Sequence, residues 1–336
     1  MTAHRERQLR TLTTFLLGGA LAGILYNVAQ GRVAPINLLL GVIYGGFISG
    51  GVGAYEVFVV QGAPRLWLRG LPFGVSVLVR SLVYAAIMFP LLYFDLGVLM
   101  MGLQPDLSIP HFWRAVGYSV GVSLLFNFLL QISYIIGPRT LARLVAGRYR
   151  SPREEKRFVL FVDVVGSTAA AERLGNRKSH MFLDRVFRIA SGPVLDFRGE
   201  IYLYVGDEMI VTWPAESGAS NGRALHCFLA MRQALVAGAA GFRRDFDLTP
   251  QIRGSLHFGV VVVGEIGDIK RHIVLHGDVM NVAARLEEAS RAVAGGFVVS
   301  GPAADALGPV AGVALAKLGT LGIRGRAQPL EAFGLA

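Results

Sequence analysis

Two aspartates follow apolar, strand-like segments at points where a turn is expected. Asp163 stands near the end of FVLFVDV and precedes VGST, and Asp207 stands within IYLYVGDEMIVTW. In the second segment, Gly206 and Asp207 are predicted to form the two-residue loop of a hairpin with a type II′ turn. If both strands are central in one antiparallel sheet, the two carboxylates meet at one edge and repel each other. The pair therefore predicts a Mg²⁺ or Mn²⁺ site whose remaining ligands come from a nucleotide triphosphate.

The residues Gly166, Ser167 and Thr168 connect the first of these strands to a helical pattern. Backbone N–H groups at the start of a helix bind phosphate readily, so this turn beside a carboxylate suits a metal-bound phosphate. Serine or threonine at this position is also an ordinary helix cap, and the turn alone does not separate the two interpretations.

The segment HGDVMNVAARLEEAS predicts a helix that is capped by Asp278. Asn281 and Arg285 are four residues apart, so they project from the same face of that helix. Together they could hold a ribose oxygen and a phosphate; the alternative is a solvated surface arginine. A long helix over about Lys178 to Phe197 and a strand over Ile252 to Val263, with GEIGD as its turn, are predicted upstream. The core side of the capped helix is predicted to be Val279, Ala283 and Leu286.

Charge is unevenly distributed along the 336 residues, and the part up to about Gly137 is nearly free of it. Four apolar stretches occur there, each near or above the roughly 20 residues that a helix needs to cross the hydrocarbon of a bilayer. None of them has a polar face with helical spacing, as a core helix of a soluble domain would. Four transmembrane helices are therefore predicted, over Leu12 to Ala29, Ile36 to Val60, Phe73 to Phe94 and Phe112 to Gly137.

Basic residues flank these stretches mainly on one side, which predicts that both termini are cytoplasmic. We expect a transmembrane domain over residues 1–137, a juxtamembrane linker over 138–156 and a cytoplasmic domain over 157–336, in a multi-pass protein of the inner (plasma) membrane. The linker is predicted to be either an amphipathic helix that transmits changes in helix packing or a passive stop-transfer segment. The basic residues on the cytoplasmic side are Arg5, Arg7, Arg10, Arg65, Arg69, Arg139, Arg143, Arg148 and Arg150.

Two charged residues near the inner ends of predicted spans are expected at similar depth. Because ionisable groups inside a bilayer are costly, Glu56 and Arg80 are predicted to pair. The alternative is that each side chain extends separately to the membrane surface.

The net charge of +10 is explained by attraction to anionic lipid and by the positive-inside bias rather than by a nucleic-acid partner. Cys227 is the single cysteine, which excludes an intrachain disulfide and suits a cytosolic domain. The histidines lack the spacing of a zinc site.

Three motifs, FVDVVGST, YVGDE and GDVMNVAARLE, resemble the catalytic domain of class III nucleotidyl cyclases, which are mostly adenylate cyclases. The resemblance runs from about Arg157 to the C-terminus. It implies an α+β fold with a ferredoxin-like βαββαβ core, preceded here by an all-α four-helix transmembrane domain. It further implies a head-to-tail homodimer with active sites at the interface, and two Mg²⁺ or Mn²⁺ ions per site.

Site roles follow from this resemblance, residue by residue. Asp163 and Asp207 correspond to the metal-binding aspartates, and the carbonyl of Val164 to a further metal ligand. Asn281 and Arg285 correspond to the pair that stabilises the transition state, contributed by the partner chain. Phosphate binding is implied for Gly166, Ser167, Thr168 and, on a weaker match, Arg324.

Two positions depart from the family pattern in the pocket that reads the purine base. Leu203 and Val274 stand where adenylate cyclases commonly carry lysine, and aspartate or threonine, respectively. Both are apolar and could enclose a purine without reading its edge by hydrogen bonds. Polar side chains nearby that could compensate are Tyr202, Tyr204, His272 and His276.

The resemblance thus implies a membrane-bound adenylate cyclase that makes cyclic AMP from ATP for intracellular signalling. One alternative is a guanylate or promiscuous purine cyclase that uses GTP. Another is a catalytically silent nucleotide-binding membrane receptor. The transmembrane part is expected to contact lipid. Its role is expected to be one of three: to sense an unknown ligand, to sense a partner helix, or only to anchor the catalytic domain.

Overall fold

The computed structural model describes residues 3–60, 71–100, 109–137, 147, 151–269, 272–322 and 329–336. The chain divides into two compact units, Met1–Leu141 and Ala142–Ala336. Most of the basic residues used to predict orientation, the linker up to residue 150 except Gly147, and Arg324 lie outside the described residues.

The first unit contains the four predicted helices. The second of them, Pro35–Tyr55, continues at its end into a short π-helical turn, Glu56–Val60. Each predicted span coincides with helical structure, except that the fourth helix ends at Ile136, one residue before the predicted end, so their helical character is confirmed. The helices are α1, Ala3–Ala29; α2, Pro35–Tyr55; α3, Phe73–Met100; and α4, Ile109–Ile136.

Apolar side chains cover much of the outer surface of this unit. Leu17, Phe47 and Phe89 are each more than 60% exposed, as expected for side chains that face lipid rather than water. Among the described residues, Thr11–Ala29 and Pro35–Val60 are long and apolar enough to cross a membrane, and shorter apolar segments occupy Gly74–Pro90 and Val116–Leu130. These features favour insertion of the first unit in a bilayer.

Helices α1 and α2 approach each other closely through glycine. A Cβ atom added at Gly23 would lie 1.9 Å from the carbonyl oxygen of Gly41, and one at Gly45 would lie 2.0 Å from that of Gly19. Small residues allow backbones to pack in this way where no hydrophobic driving force operates between helices. Larger side chains at these positions would separate the two helices.

The predicted pair of Glu56 and Arg80 is confirmed. Nη1 of Arg80 lies 3.3 Å from Oε1 of Glu56, and the two side chains are only 6% and 1% exposed. The hydroxyl of Tyr84 donates a second hydrogen bond to the same carboxylate oxygen, at 2.6 Å. Because the carboxylate is held by two groups of α3, the alternative in which each charge extends separately to the surface is wrong.

Within the described residues, the second unit is built on one mixed sheet of eight strands with helices on both faces. The strands are β1, Arg153–Val164; β2, Glu200–Val205; β3, Glu208–Pro214; β4, Ile252–Ile266; β5, His272–His276; β6, Phe297–Ser300; β7, Leu315–Leu321; and β8, Leu330–Leu335. Seven strands follow the order β2-β3-β1-β4-β6-β8-β7, and β5 pairs with β4. The first four strands and two long helices form the predicted βαββαβ core, because β1, β2, β3 and β4 are antiparallel in the order 2-3-1-4.

Five α-helices in the described part of this unit accompany the sheet. They are α5, Ser167–Asp196; α6, Ala215–Ala219; α7, Arg223–Phe246; α8, Asp278–Ser290; and α9, Gly301–Leu307. Helices α5 and α7 cover one face of the sheet through a large apolar core, and α8 covers the other through a smaller one. The α+β class is confirmed.

The segment Ala215–Phe246 also has the length and composition of a membrane span. Its packing excludes that role, because Phe228, Met231 and Leu235 are fully buried in the core of the second unit. The segment is also interrupted at Asn221, which has a φ of 53°. Cys227 is buried in the same helix, and burial raises the pKa of its thiol.

The predicted long helix is confirmed as the part of α5 that follows Gly175, whose φ of 72° interrupts the helix, and it ends at Asp196. Two other local predictions were wrong. Strand β4 continues to Ile266, so most of GEIGD belongs to the strand rather than to its turn. Asp278 is the first residue of α8 and does not cap it, because the cap position is Gly277, with a φ of 147° that glycine adopts readily. The predicted core side of α8 is confirmed, since Val279, Ala283 and Leu286 are buried.

Candidate functional site

The end of β1 and the turn between β2 and β3 hold Asp163 and Asp207 beside each other. The backbone N–H of Val164 donates to the carbonyl oxygen of Asp207 at 3.2 Å, which joins the turn to the strand end. The hydroxyl of Ser167 donates to the carboxylate of Asp207. Gly206 has a φ of 60° while Asp207 keeps a negative φ, consistent with the predicted II′ turn. The structure therefore brings the two predicted metal-binding aspartates together.

Asp163 lies in the middle of a row of charged residues across three strands. It pairs in register with Glu208 of β3 on one side and with Arg253 of β4 on the other. Directly paired residues of an antiparallel sheet share a face, and here that face is the one covered by α8. The guanidinium of Arg253 forms an ion pair with Asp163, and its Nε donates to Glu287 of α8 at 3.1 Å. The guanidinium of Arg253 thus neutralises part of the charge of two buried carboxylates.

Burial in this cluster raises the pKa values of two carboxyl groups. The pKa of Asp163 rises to about 6, mainly because burial disfavours the charged form; Arg253 opposes this, and Asp207 adds to it. The pKa of Glu208 rises to about 7, first by burial and then by repulsion from Glu287, Asp163 and Asp207. An excess of negative charge that one arginine does not balance is an environment in which a divalent cation is stabilising.

The donors present fit Mg²⁺ or Mn²⁺. Oδ2 of Asp163 is buried and forms an ion pair with Arg253, and Asp207 lies close enough to raise the pKa of Asp163. Carboxylate oxygen is the ligand type that these hard cations prefer. Over the same described ranges, no group of three or more His, Cys, Asp or Glu side chains has the arrangement of a metal site. The two aspartates therefore require further ligands, which backbone carbonyls such as that of Val164 and substrate phosphates could supply.

The start of α5 adjoins this pair. Gly166 precedes the helix with a φ of 71° and contributes no side-chain cap. Ser167 does not cap the helix either, because its hydroxyl binds Asp207 instead. Gly166 and Thr168 are exposed and Ser167 is partly exposed, so the first turn is accessible to a ligand. This arrangement is more consistent with the phosphate interpretation than with an ordinary serine cap.

Asn281 and Arg285 lie on one face of α8, as predicted, and both are exposed. Nη1 of Arg285 is 3.0 and 2.9 Å from the two carboxylate oxygens of Glu288. No hydrogen bond or ion pair joins either residue to Asp163 or Asp207 within the described part of the chain.

The predicted base-pocket residues lie on β2 and β5. Leu203 is 47% exposed and pairs with Ile210, so it faces the α8 side of the sheet. Val274 is partly buried on β5. The backbone N–H of Leu275 donates to the hydroxyl of Tyr202 at 3.1 Å, which connects the two strands one residue from each predicted position.

Tyr204 does not belong to this pocket. Its ring contacts Phe187 at 5.0 Å between centroids, and its hydroxyl lies 3.1 Å from that of Ser191. Both partners are in α5, on the opposite face of the sheet. Tyr204 is therefore excluded as a compensating base reader, whereas His272 and His276 remain exposed at the two ends of β5.

Sequence analysis did not assign Arg253, Glu208 or Glu287 to the site. Arg253 reaches it through the register of β4 with β1, and Glu287 through the packing of α8 on the sheet. Of these three residues, only Glu208 had a local signal in the sequence, because it directly follows Asp207.

Comparison with known proteins agrees with this geometry. The family model described as adenylate and guanylate cyclase catalytic domain matches residues 150–335. A curated relative, adenylate cyclase 2 of Rhizobium meliloti (strain 1021), is 29% identical over 303 residues, which cover 88% of this chain and 83% of that protein.

Solved structures share the fold of the second unit. The adenylyl cyclase CyaB from P. aeruginosa aligns with a TM-score of 0.50 and 23% identity, covering 55% of this chain and 96% of that one. A bacterial light-regulated adenylyl cyclase aligns with a TM-score of 0.54 and 18% identity, covering 64% of each chain. At these identities the likeness concerns the fold alone.

Proposed function

The chain belongs to the adenylate and guanylate cyclase catalytic domain family, and on that basis we propose that it is a membrane-bound adenylate cyclase acting in intracellular signalling. It converts ATP to 3′,5′-cyclic AMP and pyrophosphate. The observation that carries the proposal is the placement of Asp163 and Asp207 side by side at the start of α5.

The two aspartates and the carbonyl of Val164 would hold two Mg²⁺ or Mn²⁺ ions. Metals bound there would lower the pKa of the ribose 3′ hydroxyl and balance the charge of the triphosphate. The 3′ oxygen attacks the α-phosphorus, the bond from that phosphorus to the bridging oxygen breaks, and pyrophosphate leaves. The hydroxyl proton is released to solvent.

The remaining residues position the substrate and stabilise charge. The first turn of α5, with Gly166, Ser167 and Thr168, presents backbone N–H groups to the phosphates. Arg253 is held next to Asp163 by its ion pair and can bind a phosphate once the metals neutralise the carboxylates. Arg324 is proposed for the terminal phosphates from its sequence match, although it lies outside the described residues.

Asn281 and Arg285 would act from a second copy of the chain. Both are exposed on α8, and within the described residues no hydrogen bond or ion pair joins them to the aspartates of their own chain, which supports a homodimer with sites at the interface. Arg285 would offset the charge that grows on the α-phosphorus, a contribution of about 3 kcal/mol for groups of this kind.

ATP is favoured as the substrate by the relationship to a protein named as an adenylate cyclase. The apolar side chains of Leu203 and Val274 favour an alternative, a guanylate or promiscuous cyclase, because they cannot distinguish adenine from guanine by hydrogen bonds. A catalytically silent nucleotide receptor is disfavoured by the complete set of charged site residues.

The helices of the first unit would anchor the enzyme in the inner membrane. The exposed apolar surface of α1 to α4 supports lipid contact, and the basic flanking residues support cytoplasmic termini and a cytoplasmic catalytic unit. The transmembrane domain, residues 1–137, would be joined to the catalytic domain, 157–336, by a linker over 138–156. The input to this domain is proposed to be a small ligand or a partner helix.

The proposal is tested by turnover of the full-length protein with ATP and with GTP, in Mn²⁺ and in Mg²⁺. We expect cyclic AMP, and we expect Asp207→Ala to lower the rate by at least about a hundredfold. Asp184→Ala, which removes an exposed acid from α5, serves as the matched control and should retain the rate. Turnover of GTP alone would establish a guanylate cyclase, and ATP binding without any turnover would establish the receptor.

A further inference from the structure

The side chain of Tyr202 connects two strands that are not neighbours in the sheet. Its hydroxyl oxygen accepts a hydrogen bond from the backbone N–H of Leu275 at 3.1 Å. Tyr202 belongs to β2 and Leu275 to β5, and β3, β1 and β4 lie between them in the strand order. The hairpin of β4 and β5 must therefore fold over one face of the sheet to reach the edge strand.

A β-bulge brings Leu203 to the side of the sheet that Tyr202 faces. Ile201 pairs with Val211 and Leu203 pairs with Ile210, so Tyr202 is an extra residue in β2. A bulge of this kind re-aims a side chain and is common beside active sites. It places Leu203 on the same side of the sheet as the ring of Tyr202, rather than on the opposite side as regular alternation would.

Apolar packing reinforces the hydrogen bond. The ring of Tyr202 is partly buried in the cluster on the α8 side, which also includes Ile273 and Leu275 of β5. Among the described residues, β5 forms a strand ladder only with β4. The hydroxyl of Tyr202 therefore accepts the hydrogen bond of the Leu275 N–H, which the ladder between β4 and β5 does not use.

We propose that Tyr202 is a positioning residue that sets the shape of the purine pocket. Leu203 and Val274 are the chain neighbours of the two hydrogen-bonded residues, so the bond between Tyr202 and Leu275 determines how far apart the pocket walls lie. Apolar walls cannot select a purine by hydrogen bonds, and selection must then depend on shape. This inference rests on the proposed function, and the ligand concerned is a purine nucleoside triphosphate.

The test compares Tyr202→Phe with Tyr204→Phe in the full-length protein. Both changes remove one hydroxyl from the same strand and keep the ring, but the hydroxyl of Tyr204 faces Ser191 of α5. Loss of a hydrogen bond of ordinary strength predicts that Tyr202→Phe raises KM for the preferred nucleotide by about three- to tenfold, with a smaller change in kcat. The ratio of kcat/KM for ATP to that for GTP should shift as well, and Tyr204→Phe should stay within about twofold of wild type.

Hydrogen exchange provides a second readout that does not depend on turnover. The amide of Leu275 should exchange faster in Tyr202→Phe than in the wild type or in Tyr204→Phe, measured without nucleotide. Melting temperatures of the two variants show whether either change acts through general stability. Equal melting temperatures, together with a change in KM for Tyr202→Phe alone, would support a positioning role for Tyr202.

Unchanged exchange at Leu275, or equal kinetic effects of the two substitutions, would overturn the inference. An inactive wild type would instead contradict the proposed function, and in that case the exchange measurement still decides whether Tyr202 holds β5.

Discussion

Arg253 and Asp163 face each other across β4 and β1 and form an ion pair at the candidate metal site. The same guanidinium donates to Glu287, so it balances two carboxylates that are each about 5% exposed. In a cluster that also contains Asp207 and Glu208, Arg253 is the basic residue that the structure places in contact with the acids. It therefore supports the folded state before any metal binds.

Replacing Arg253 by alanine is expected to lower the free energy of unfolding by about 3 kcal/mol, because it leaves two buried carboxylates uncompensated. Arg232→Ala is the matched control, since Arg232 is partly exposed, donates to one carbonyl oxygen and lies over the ring of Phe228 without pairing a buried carboxylate, and its loss should cost about 1 kcal/mol. Denaturant unfolding of both full-length variants in detergent would measure the difference. Equal stability of the two variants would show that Arg253 does not balance the cluster.

Metal binding is expected to weaken as the pH falls. Asp163 has a pKa of about 6 and Glu208 of about 7, so protons compete with the metal for the site below about pH 7. The Kd for Mn²⁺ should rise by up to about tenfold per pH unit once the pH is below 6.

The pKa values of Asp163 and Glu208 both lie above those of the unfolded chain. The metal-free fold should therefore gain stability as the pH falls from 7 toward 4.5 and lose it as the pH rises through 6 to 7.

Titrating Mn²⁺ into the wild type and into Asp163→Asn at several pH values checks this prediction. The variant lacks the carboxyl group with the pKa of about 6, so its weaker binding should depend less on pH. A pH profile for the wild type that is flat between 5 and 7.5 would contradict the assignment.

The buried pair of the first unit should show strong coupling. Glu56→Gln leaves Arg80 charged and buried, and Arg80→Gln does the same to Glu56, so each is expected to cost about 3 kcal/mol or more. The double variant should cost less than the sum of the two, by at least about 1 kcal/mol. Thermal unfolding of the wild type, the two single variants and the double variant in one detergent gives the coupling energy. If the two single losses of stability add up to that of the double variant, the side chains do not interact energetically.

Complementation tests whether active sites form between two chains. Asp163→Ala and Arg285→Ala are each expected to be inactive, because every site in a homodimer would lack one essential residue. Coexpressed in equal amounts, the two variants should restore about a quarter of the wild-type rate, since half of the dimers are mixed and each mixed dimer has one intact site. Coexpression that restores nothing would contradict an interface site.

Local sequence patterns were sufficient for most of the architecture. The four apolar helices, the strands that end near Asp163 and Asp207, and the face shared by Asn281 and Arg285 were all predicted from composition and periodicity. These features depend on properties that neighbouring residues set together, such as apolar spacing and the backbone preference of glycine. The pairing of Glu56 with Arg80 was predicted for a different reason, which is the high cost of an isolated charge inside a membrane.

Tertiary structure alone decided which further residues meet at the site. Arg253 and Glu287 reach Asp163 through strand register and helix packing, and Tyr202 reaches Leu275 through a hairpin that folds over the sheet. Contacts between residues 34 to 90 positions apart are set by the relative placement of whole elements, which no local pattern encodes. The sequence by itself therefore determined the elements and the chemistry of the two aspartates, and the fold decided their counter-charge and the geometry of the purine pocket.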